Sequence, residues 1–171
     1  MESNDFQMNE WLVSNNIPVF CILTKCDYIS KNEIPKKIKD IPGINNLLAQ
    51  VLLVHHNGRP DLFKEKGAKY TDSELADLIK KTEDPIFVYE DDDGTIIGHC
   101  FCQTVVHEER PATYAYKSLY IDDLCIDENA RGKHIGKALY DYTKQFAKEN
   151  GYYNLTLHAW ECNPNAVGFY K

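Results

Sequence analysis

The stretch from Leu119 to Gly151 constrains the fold of this chain more than any other. Residues 119–126 are apolar, β-branched and aromatic with interposed acids, which predicts a strand. Asp127-Glu-Asn129 has the composition of a turn. A helix follows, closed by Gly151, and its apolar residues repeat at helical spacing: Ile135, Leu139, Tyr142 and Phe146. A strand, a glycine-containing turn and a helix N-terminus together predict an anion site, because unpaired backbone N–H groups and the helix dipole converge there.

The turn itself carries a known pattern. Residues 131–139 read Arg-Gly-Lys-His-Ile-Gly-Lys-Ala-Leu. They resemble motif A of the GNAT superfamily of acyl-CoA N-acyltransferases, whose pattern is Arg/Gln-x-x-Gly-x-Gly/Ala. Arg131 and Gly136 match this pattern, whereas His134 stands at the first glycine, where its Cβ narrows the room for a pyrophosphate. The Gly-x-Gly-x-x-Gly spacing of dinucleotide-binding proteins is absent.

A second segment supports the same resemblance. Asn163-Pro-Asn-Ala-Val-Gly-Phe-Tyr170 resembles the Asn-x-x-Ala-x-x-x-Tyr segment that follows the next strand in this family. The spacing between the two segments fits one helix and one strand. The resemblance covers roughly residues 38–171 and implies an α+β fold, with a GNAT-like mixed, largely antiparallel, twisted sheet flanked by helices.

The resemblance implies an N-acetyltransferase that moves an acetyl group from acetyl-CoA directly to a primary amine, without a covalent intermediate and without a metal. Backbone groups of Leu124, Cys125 and Ile126 would hold the pantetheine arm and polarise the thioester carbonyl. Asn163 would contact the cofactor arm, and Tyr170 would protonate the leaving thiolate. The residues implied around the pyrophosphate are Arg131, Gly132, Lys133, His134, Ile135, Gly136 and Lys137.

The general base is less clearly marked. Strand alternation puts Asp123 on the same face as Cys125, which we expect to open toward the acceptor, and Asp123 is therefore the first candidate. Asp122 points to the opposite face unless a β-bulge intervenes. Glu161, His158 or a chain of waters are the alternatives. Cys125 is not expected to be a nucleophile, because the sequence shows no pattern of a His with an Asp or Asn that would activate its thiol.

The first 37 residues form a separate segment in this reading, and residues 38–171 form the acyltransferase domain. The apolar strand 17–23 and the following Thr24-Lys-Cys-Asp27 resemble the guanine-recognition part of EngB-type ribosome-biogenesis GTP-binding proteins. The companion phosphate loop, Gly-x-x-x-x-Gly-Lys-Ser/Thr, is not present in the chain. We therefore expect a structural role for this GTPase-like fragment, with Lys36-Lys-Ile-Lys39 as the join.

Both ends of the acyltransferase domain depart from the family pattern. The usual first strand before the first helix is not evident near Asp40, and the final strands after Tyr170 are missing. Unpaired sheet edges are prone to association. We expect residues 19–23 to pair beside residues 86–90 in place of the first strand, and a homodimer is possible.

The remaining elements follow from caps and periodicity. A helix from Asp40, its expected N-cap, runs to about residue 58, and Thr71 with Glu74 predicts a capping box for a second helix. The expected strands are 86–90, 95–106, 114–126 and 154–160, with Asp93-Gly94 closing a hairpin turn.

Composition limits the function classes. The chain has 171 residues and a net charge of −7, which disfavours nucleic acid as a partner and suits a cationic amine. The six cysteines lack the spacing of a zinc site, which predicts free thiols in a reducing compartment. The sequence has no apolar stretch long enough to indicate a membrane segment, so a cytoplasmic location is expected. The acceptor stays open between small-molecule and peptide amines. The alternative to an active enzyme is a chimeric, catalytically weak CoA-binding protein that keeps the fold.

Overall fold

The computed structural model describes residues 20–22 and 40–170. Within them the strands form one sheet in which sequence order is also spatial order. The strands are β1 (Phe20–Ile22), β2 (Ile86–Glu90), β3 (Ile96–His107), β4 (Tyr116–Ile126) and β5 (Asn154–Leu157). Neighbouring strands are antiparallel except β4 and β5, which are parallel. The expected mixed, largely antiparallel sheet is therefore confirmed.

The helices lie close to their expected positions. They are α1 (Ile41–Gly58), α2 (Asp72–Lys80), α3 (Ile135–Glu149) and α4 (Pro164–Tyr170), with a short 3₁₀ turn at Glu128–Ala130. The capping box of α2 is confirmed, since Thr71 Oγ1 accepts from the Glu74 N–H and the Glu74 carboxylate accepts from the Thr71 N–H. The expectation for Asp40 is wrong in part. It occupies the N-cap of α1, but its helical backbone (φ −84°, ψ −10°) is unsuited to capping and its side chain accepts no capping hydrogen bond.

Two apolar clusters cover the two faces of the sheet. Helices α1 and α2 pack on one face through fully buried residues such as Ile44, Leu47 and Leu75. Helix α3 packs on the other face, where Leu139 meets Phe87 and Leu119. The amphipathic stripes read from the sequence are thus the faces that anchor both helical layers.

Strand β1 takes the position expected for the apolar run 19–23. Phe20, Cys21 and Ile22 pair antiparallel with Tyr89, Val88 and Phe87 of β2. This confirms that the run adds an outer strand beside β2. The rest of the N-terminal interpretation, including the Thr24-Lys-Cys-Asp27 motif and the join at 36–39, lies outside the described residues.

A β-bulge in β4 positions the functional site. Phe101 pairs with Asp123 and Cys102 pairs with Ile121, so Asp122 is the extra residue. Before the bulge, Leu119 and Ile121 face α3, and after it Cys125 faces α1. A bulge bends its strand and increases the local twist. The bulge therefore turns Asp122 and Asp123 toward the same face, as their shared contact with Lys69 shows.

The pairing of β4 with β5 stops at this bulge. The last matched pair is Ile121 with Leu157, and β5 ends there instead of reaching Trp160 as the sequence suggested. Beyond this pair β4 continues along β3 to Ile126 while the chain after Leu157 departs from it. The two parallel strands thus separate and leave an opening between their C-terminal ends.

Candidate active site

A cavity of about 680 Å³ fills the opening between the ends of β4 and β5. Residues 122–126 form one wall, and residues 157–160 form the opposite wall. Helices α1 and α4 and the segment before α2 complete it. The volume is that of a small-molecule site, and the position is one where strand ends present backbone groups to a ligand.

The β4 wall offers an unpaired strand edge. Cys100 and His99 of β3 pair with Leu124 and Cys125 on one side of β4, whereas pairing with β5 has already ended on the other side. Backbone N–H and C=O groups of a strand alternate between its two edges. Backbone groups of residues 124–126 that point away from β3, apart from the Ile126 carbonyl that accepts from Arg131, are therefore available to an extended ligand in the cavity.

The turn between β4 and α3 has left-handed backbone at two positions. Gly132 has φ 78°, which suits glycine, but His134 has φ 62° and is a non-glycine residue at this strained conformation. His134 is the N-cap of α3 and provides no side-chain cap, and the first turn contains no acidic residue. The first N–H groups of α3 therefore have no side chain competing for them and the end of the helix is electropositive.

Two side chains fix the geometry of this turn. Arg131 Nε donates to the carbonyl of Ile126 at 3.2 Å, which holds the guanidinium at the end of β4 on the cavity wall. Gln50 of α1 donates to Asp127 Oδ2 at 2.8 Å and accepts from the Glu128 N–H at 3.1 Å. Helix α1 is thus tied to the residues that precede α3.

Tyr170 lies at the end of α4 and lines the cavity. Burial, with smaller contributions from neighbours such as Cys100 and Tyr140, raises the pKa of Tyr170 far above its usual value. The hydroxyl therefore keeps its proton at neutral pH and is available as a donor. Asn163 Oδ1 accepts from the Ala166 N–H at 3.2 Å and so caps α4, while the residue itself also lines the cavity.

Two carboxylates and one ammonium meet on the β4 wall. Lys69 Nζ lies 3.0 Å from Asp122 Oδ2 and 3.5 Å from Asp123 Oδ2. Burial opposes the charged form of Asp123, but contacts with His99 and Lys69 outweigh it and lower the pKa of Asp123. Burial likewise disfavours the Lys69 ammonium, but the two carboxylates outweigh it and raise the pKa of Lys69. Both partners are therefore charged at neutral pH.

A buried histidine stands behind Asp123. His99 is 0% exposed, and its Nε2 lies 3.7 Å from Asp123 Oδ1, which is longer than a hydrogen bond. Neither ring nitrogen of His99 has a hydrogen-bond partner among the described residues. A buried imidazole without a hydrogen-bond partner is energetically unfavourable, and this one lies against the carboxylate of Asp123.

A second imidazole lies on the opposite wall. His158, just beyond β5, has Nδ1 3.0 Å from the hydroxyl of Tyr120 on β4. His158 is exposed and lines the cavity. When Nδ1 carries the proton and donates it to Tyr120, the lone pair of Nε2 is free to accept a proton from a ligand.

Three aromatic rings form a further part of the wall. The ring centroid of His55 lies 5.0 Å from that of Phe63 and 5.3 Å from that of Trp160. Gly58 makes this packing possible, because a Cβ there would lie 2.9 Å from the Trp160 ring. The cavity therefore combines an apolar aromatic surface with the charged cluster of Asp122, Asp123 and Lys69.

Cys125 is not suited to be a nucleophile. Burial is the main reason that the pKa of its thiol rises to about 12. Its Sγ is directed to the carbonyl of Leu47 in α1. Because the thiolate is the reactive form, this thiol is inert at neutral pH.

Seven of the site residues predicted from the sequence line the main cavity, and the others lie in a neighbouring cavity, in the exposed turn or in the core. Those lining the main cavity are Asp123, Leu124, Cys125, Ile126, Arg131, Asn163 and Tyr170. His134, Gly136 and Lys137 instead line a neighbouring cavity of about 430 Å³ beside Phe169, and Lys137 pairs with Asp141. Gly132 and Lys133 are exposed in the turn, and the Ile135 side chain is buried in the core.

The sequence interpretation missed Lys69, His99 and Tyr120 as members of the site. Lys69 lies in a segment without a motif, and its ion pairs join residues more than fifty positions apart. His99 and Tyr120 read as ordinary strand residues. Side chains alternate between the two faces of a strand, and the bulge in β4 shifts this alternation by one residue. Only a prediction that included the bulge would have put His99 and Tyr120 on the same face as Asp123.

The acetyltransferase (GNAT) family model matches residues 54–171, which is more than half of the chain. The chain belongs to the GNAT family. It is an N-acetyltransferase by membership, and the cavity between β4 and β5 is its candidate active site. No curated protein matches the sequence significantly.

Solved structures share the GNAT fold of this chain. A single-residue mutant of the BH1408 protein from Bacillus halodurans superposes with a TM-score of 0.75 at 22% identity, over 89% of this chain and 88% of that one. An aminoglycoside acetyltransferase from an uncultured soil metagenomic sample, in complex with sisomicin, has a TM-score of 0.58 at 20% identity, over 91% and 86%. A ribosomal-protein-alanine N-acetyltransferase from Brucella melitensis has a TM-score of 0.59 at 18% identity, over 89% and 88%.

Two further structural findings bear on this GNAT protein. Within residues 20–22 and 40–170, no group of three or more His, Cys, Asp or Glu side chains is arranged to hold a metal ion. None of the helices that the structure describes is long and apolar enough to cross a membrane.

Proposed function

We propose that this GNAT protein transfers an acetyl group from acetyl-CoA to a primary amine by direct attack, with both substrates bound together in the main cavity. The observation that carries the proposal is the separation of β4 from β5 beyond the Ile121–Leu157 pair, directly beside the N-terminus of α3. This arrangement provides a strand edge, an anion site and a cavity in one place. Named neighbours of the same fold act on aminoglycosides and on ribosomal-protein alanine, both of which carry amino groups.

The residues present fit acetyl-CoA. The free edge of residues 124–126 can pair with an amide-containing arm as an added strand would. The N–H groups at residues 132–137 and the guanidinium of Arg131 are the groups proposed to hold the pyrophosphate, and a Cβ at Gly132 would meet nothing within 4 Å. The amide nitrogen of Asn163 is positioned to donate to a ligand, since the oxygen is the atom that caps α4. When bound, acetyl-CoA supplies the acetyl group as an activated thioester.

Tyr170 is proposed as the general acid. Its hydroxyl holds a proton at neutral pH because burial raises its pKa, and it lies on the cavity wall. A donor at this place protonates a departing thiolate as charge develops on the sulfur. The N–H groups of Leu124 to Ile126 that face the cavity polarise the carbonyl that the amine attacks.

Two groups on the cavity wall can accept the proton of the amine, Asp123 and His158. The lowered pKa of Asp123 makes its carboxylate a weak base, and its oxygens already contact Lys69 and face His99. Histidine is the side chain that most often acts as a general base in enzymes. His158 is exposed and held by Tyr120. These contacts favour His158 as the proton acceptor and Asp123 as a residue that holds positive charge.

Two measurements test the proposal. Acetyl-CoA binding to the full chain should raise its melting temperature in a thermal-shift titration, because a ligand bound only by the folded state stabilises it. A panel of primary amines should then release CoA, followed by a thiol reagent. Binding without CoA release from any amine would support the alternative of a catalytically weak CoA-binding protein. No shift at millimolar acetyl-CoA would refute both functions.

A further inference from the structure

The charged cluster on the β4 wall contains two carboxylates and one ammonium. Lys69 Nζ contacts both Asp122 and Asp123, so a single ammonium faces two carboxylates. All three residues line the cavity. Arg131, the other permanent cation on the cavity wall, is held at the far end of β4 by the carbonyl of Ile126. The acceptor side of the cavity is therefore suited to a cation.

An unpartnered buried imidazole is aimed at the same cluster. His99 is completely buried, and its Nε2 is directed at Asp123 Oδ1 across 3.7 Å. A shift of less than 1 Å would bring the two atoms into hydrogen-bond range. Asp123 thus has a donor behind it and a cation in front of it. This second observation distinguishes the cluster from an ordinary group of surface acids.

We propose that Asp122 and Asp123 form a subsite for a positively charged nitrogen of the acceptor, which Lys69 occupies in the free protein and vacates when the acceptor binds. The inference rests on the proposed function and names its substrate class. Lys69 lies in the segment between α1 and α2, and its side chain is 38% exposed. Its ammonium can therefore move into solvent without opening the core.

The nitrogen held in this subsite is not the one that receives the acetyl group. An ammonium between two carboxylates is kept protonated, as the raised pKa of Lys69 illustrates, and a protonated nitrogen has no lone pair for attack. The acceptor must then carry a second, reactive amine that reaches the β4 edge at Leu124. Asp123 directly precedes Leu124, and a strand rises about 3.4 Å per residue, so a short aliphatic spacer is sufficient. The inferred substrates are diamines, polyamines or other compounds with at least two amino groups.

Three matched amines test the subsite. Putrescine, n-butylamine and γ-aminobutyrate share a four-carbon chain and one amine, and differ in carrying a distal ammonium, methyl or carboxylate. With CoA present, putrescine should bind the full chain on the order of tenfold more tightly than n-butylamine, because the single nitrogen of n-butylamine can occupy the subsite or the β4 edge but not both, and γ-aminobutyrate should bind least. Calorimetry gives the affinities whether or not turnover occurs. Equal affinity for putrescine and n-butylamine would overturn the proposal.

Single substitutions assign the effect to the cluster. Asp122→Asn or Asp123→Asn should lower putrescine affinity toward that of n-butylamine, whereas Lys69→Met should raise it severalfold by removing the competing ammonium. Lys64 and Glu65 are exposed residues of the same segment, so Lys64→Met and Glu65→Gln serve as matched controls. Both variants should leave the affinity for putrescine unchanged. A loss of putrescine affinity in Lys69→Met would refute the displacement of Lys69.

Failure of the proposed function gives a different result. In that case acetyl-CoA does not bind and no amine releases CoA, whatever the preference among the three amines. If CoA is released equally well from putrescine and n-butylamine, the acetyltransferase function holds and the subsite does not.

Discussion

His158 Nδ1 lies 3.0 Å from the Tyr120 hydroxyl, which links the chain just beyond β5 to β4 on the face that opens to the acceptor. The two rings are tilted at 56° with centroids 5.4 Å apart, so Tyr120 holds the imidazole in position. This contact crosses the sheet next to the last β4–β5 pair. It holds a titratable group where the strands separate.

The first prediction concerns the proton acceptor. His158→Gln should lower kcat/KM by about 10²–10⁴-fold, because proton transfer to a positioned base contributes this much. Tyr120→Phe should have a smaller effect, since it loses only the contact that positions the imidazole. Steady-state rates of CoA release at pH 7 compare both variants with the wild type.

A matched variant separates the two candidate bases. His107→Gln, at the far end of the β3–β4 hairpin, changes the same residue type outside the cavity and should retain the wild-type kcat/KM. If Asp123→Asn lowered kcat/KM by this factor while His158→Gln retained it, Asp123 would be the base.

The second prediction concerns Tyr170. Tyr170→Phe keeps the ring against Tyr140 but loses the hydroxyl, and should lower kcat by about 10²-fold or more with little change in acetyl-CoA affinity. Because burial raises the pKa of Tyr170, the wild-type hydroxyl stays protonated and the loss should be constant up to pH 10. Tyr140→Phe, which removes a neighbouring hydroxyl outside the main cavity, serves as the control. A ratio of wild-type to variant rates that falls between pH 7 and 9 would contradict this role.

Much of this arrangement follows from local sequence. The stripe through Ile135 and Leu139 predicts α3, and the Thr71–Glu74 pair predicts the start of α2, because both depend on residues within a few positions of each other. Tyr170 and Arg131 were assigned through the family pattern, and both line the cavity. Short-range signals and a known motif therefore suffice for the scaffold and for half of the site.

The parts that could not be predicted depend on contacts between distant residues. The bulge at Asp122 is a mismatch between β3 and β4 and has no signature in either strand alone. Its consequences are the turn of Asp122 toward Lys69 and the early end of β5 at Leu157. The left-handed backbone of His134 could not be predicted either. The sequence indicated that a histidine replaces the motif glycine, but not that this histidine has φ 62°.

The third prediction is a dependence of stability on pH that originates at Asp123. Folding lowers the pKa of this carboxyl, so its charge stabilises the folded state above its unfolded pKa of about 3.9, and this contribution disappears as the pH falls through the lower folded value. Asp123→Asn should therefore reduce the free energy of unfolding by about 1 kcal/mol at pH 7. The loss is modest because Lys69 is partly solvated and retains its ion pair with Asp122 in the variant.

Urea unfolding at pH 7 and pH 3 measures this dependence. The difference between wild type and Asp123→Asn should shrink at pH 3, because the carboxyl of the unfolded chain is then largely protonated and the stabilisation by the folded carboxylate is reduced. The exposed Asp92→Asn in the β2–β3 turn is the control for a general charge effect. A difference that is equal at both pH values would show that Asp123 acts through packing alone.

The fourth prediction concerns His134, where the family pattern and the backbone geometry disagree. A non-glycine residue in the left-handed region destabilises the folded state by about 1–2 kcal/mol. Glycine removes this strain, but it loses more conformational entropy on folding, which offsets part of the gain. With φ 62° at this position, His134→Gly should raise the free energy of unfolding by roughly 1 kcal/mol, whereas His134→Ala, which keeps the Cβ, should not. Urea unfolding at pH 7 compares the three proteins.

The same pair of variants separates backbone strain from crowding at the anion site. If the imidazole narrows the space for a pyrophosphate beside α3, both variants should bind acetyl-CoA more tightly than wild type in calorimetry. If the Cβ is the obstacle, only His134→Gly should gain affinity, since alanine retains that atom. Unchanged affinity in both variants, together with a more stable glycine variant, would mean that His134 strains the turn without obstructing it. In that case the N–H groups of α3 alone would determine phosphate binding, and the missing motif glycine would affect stability but not function.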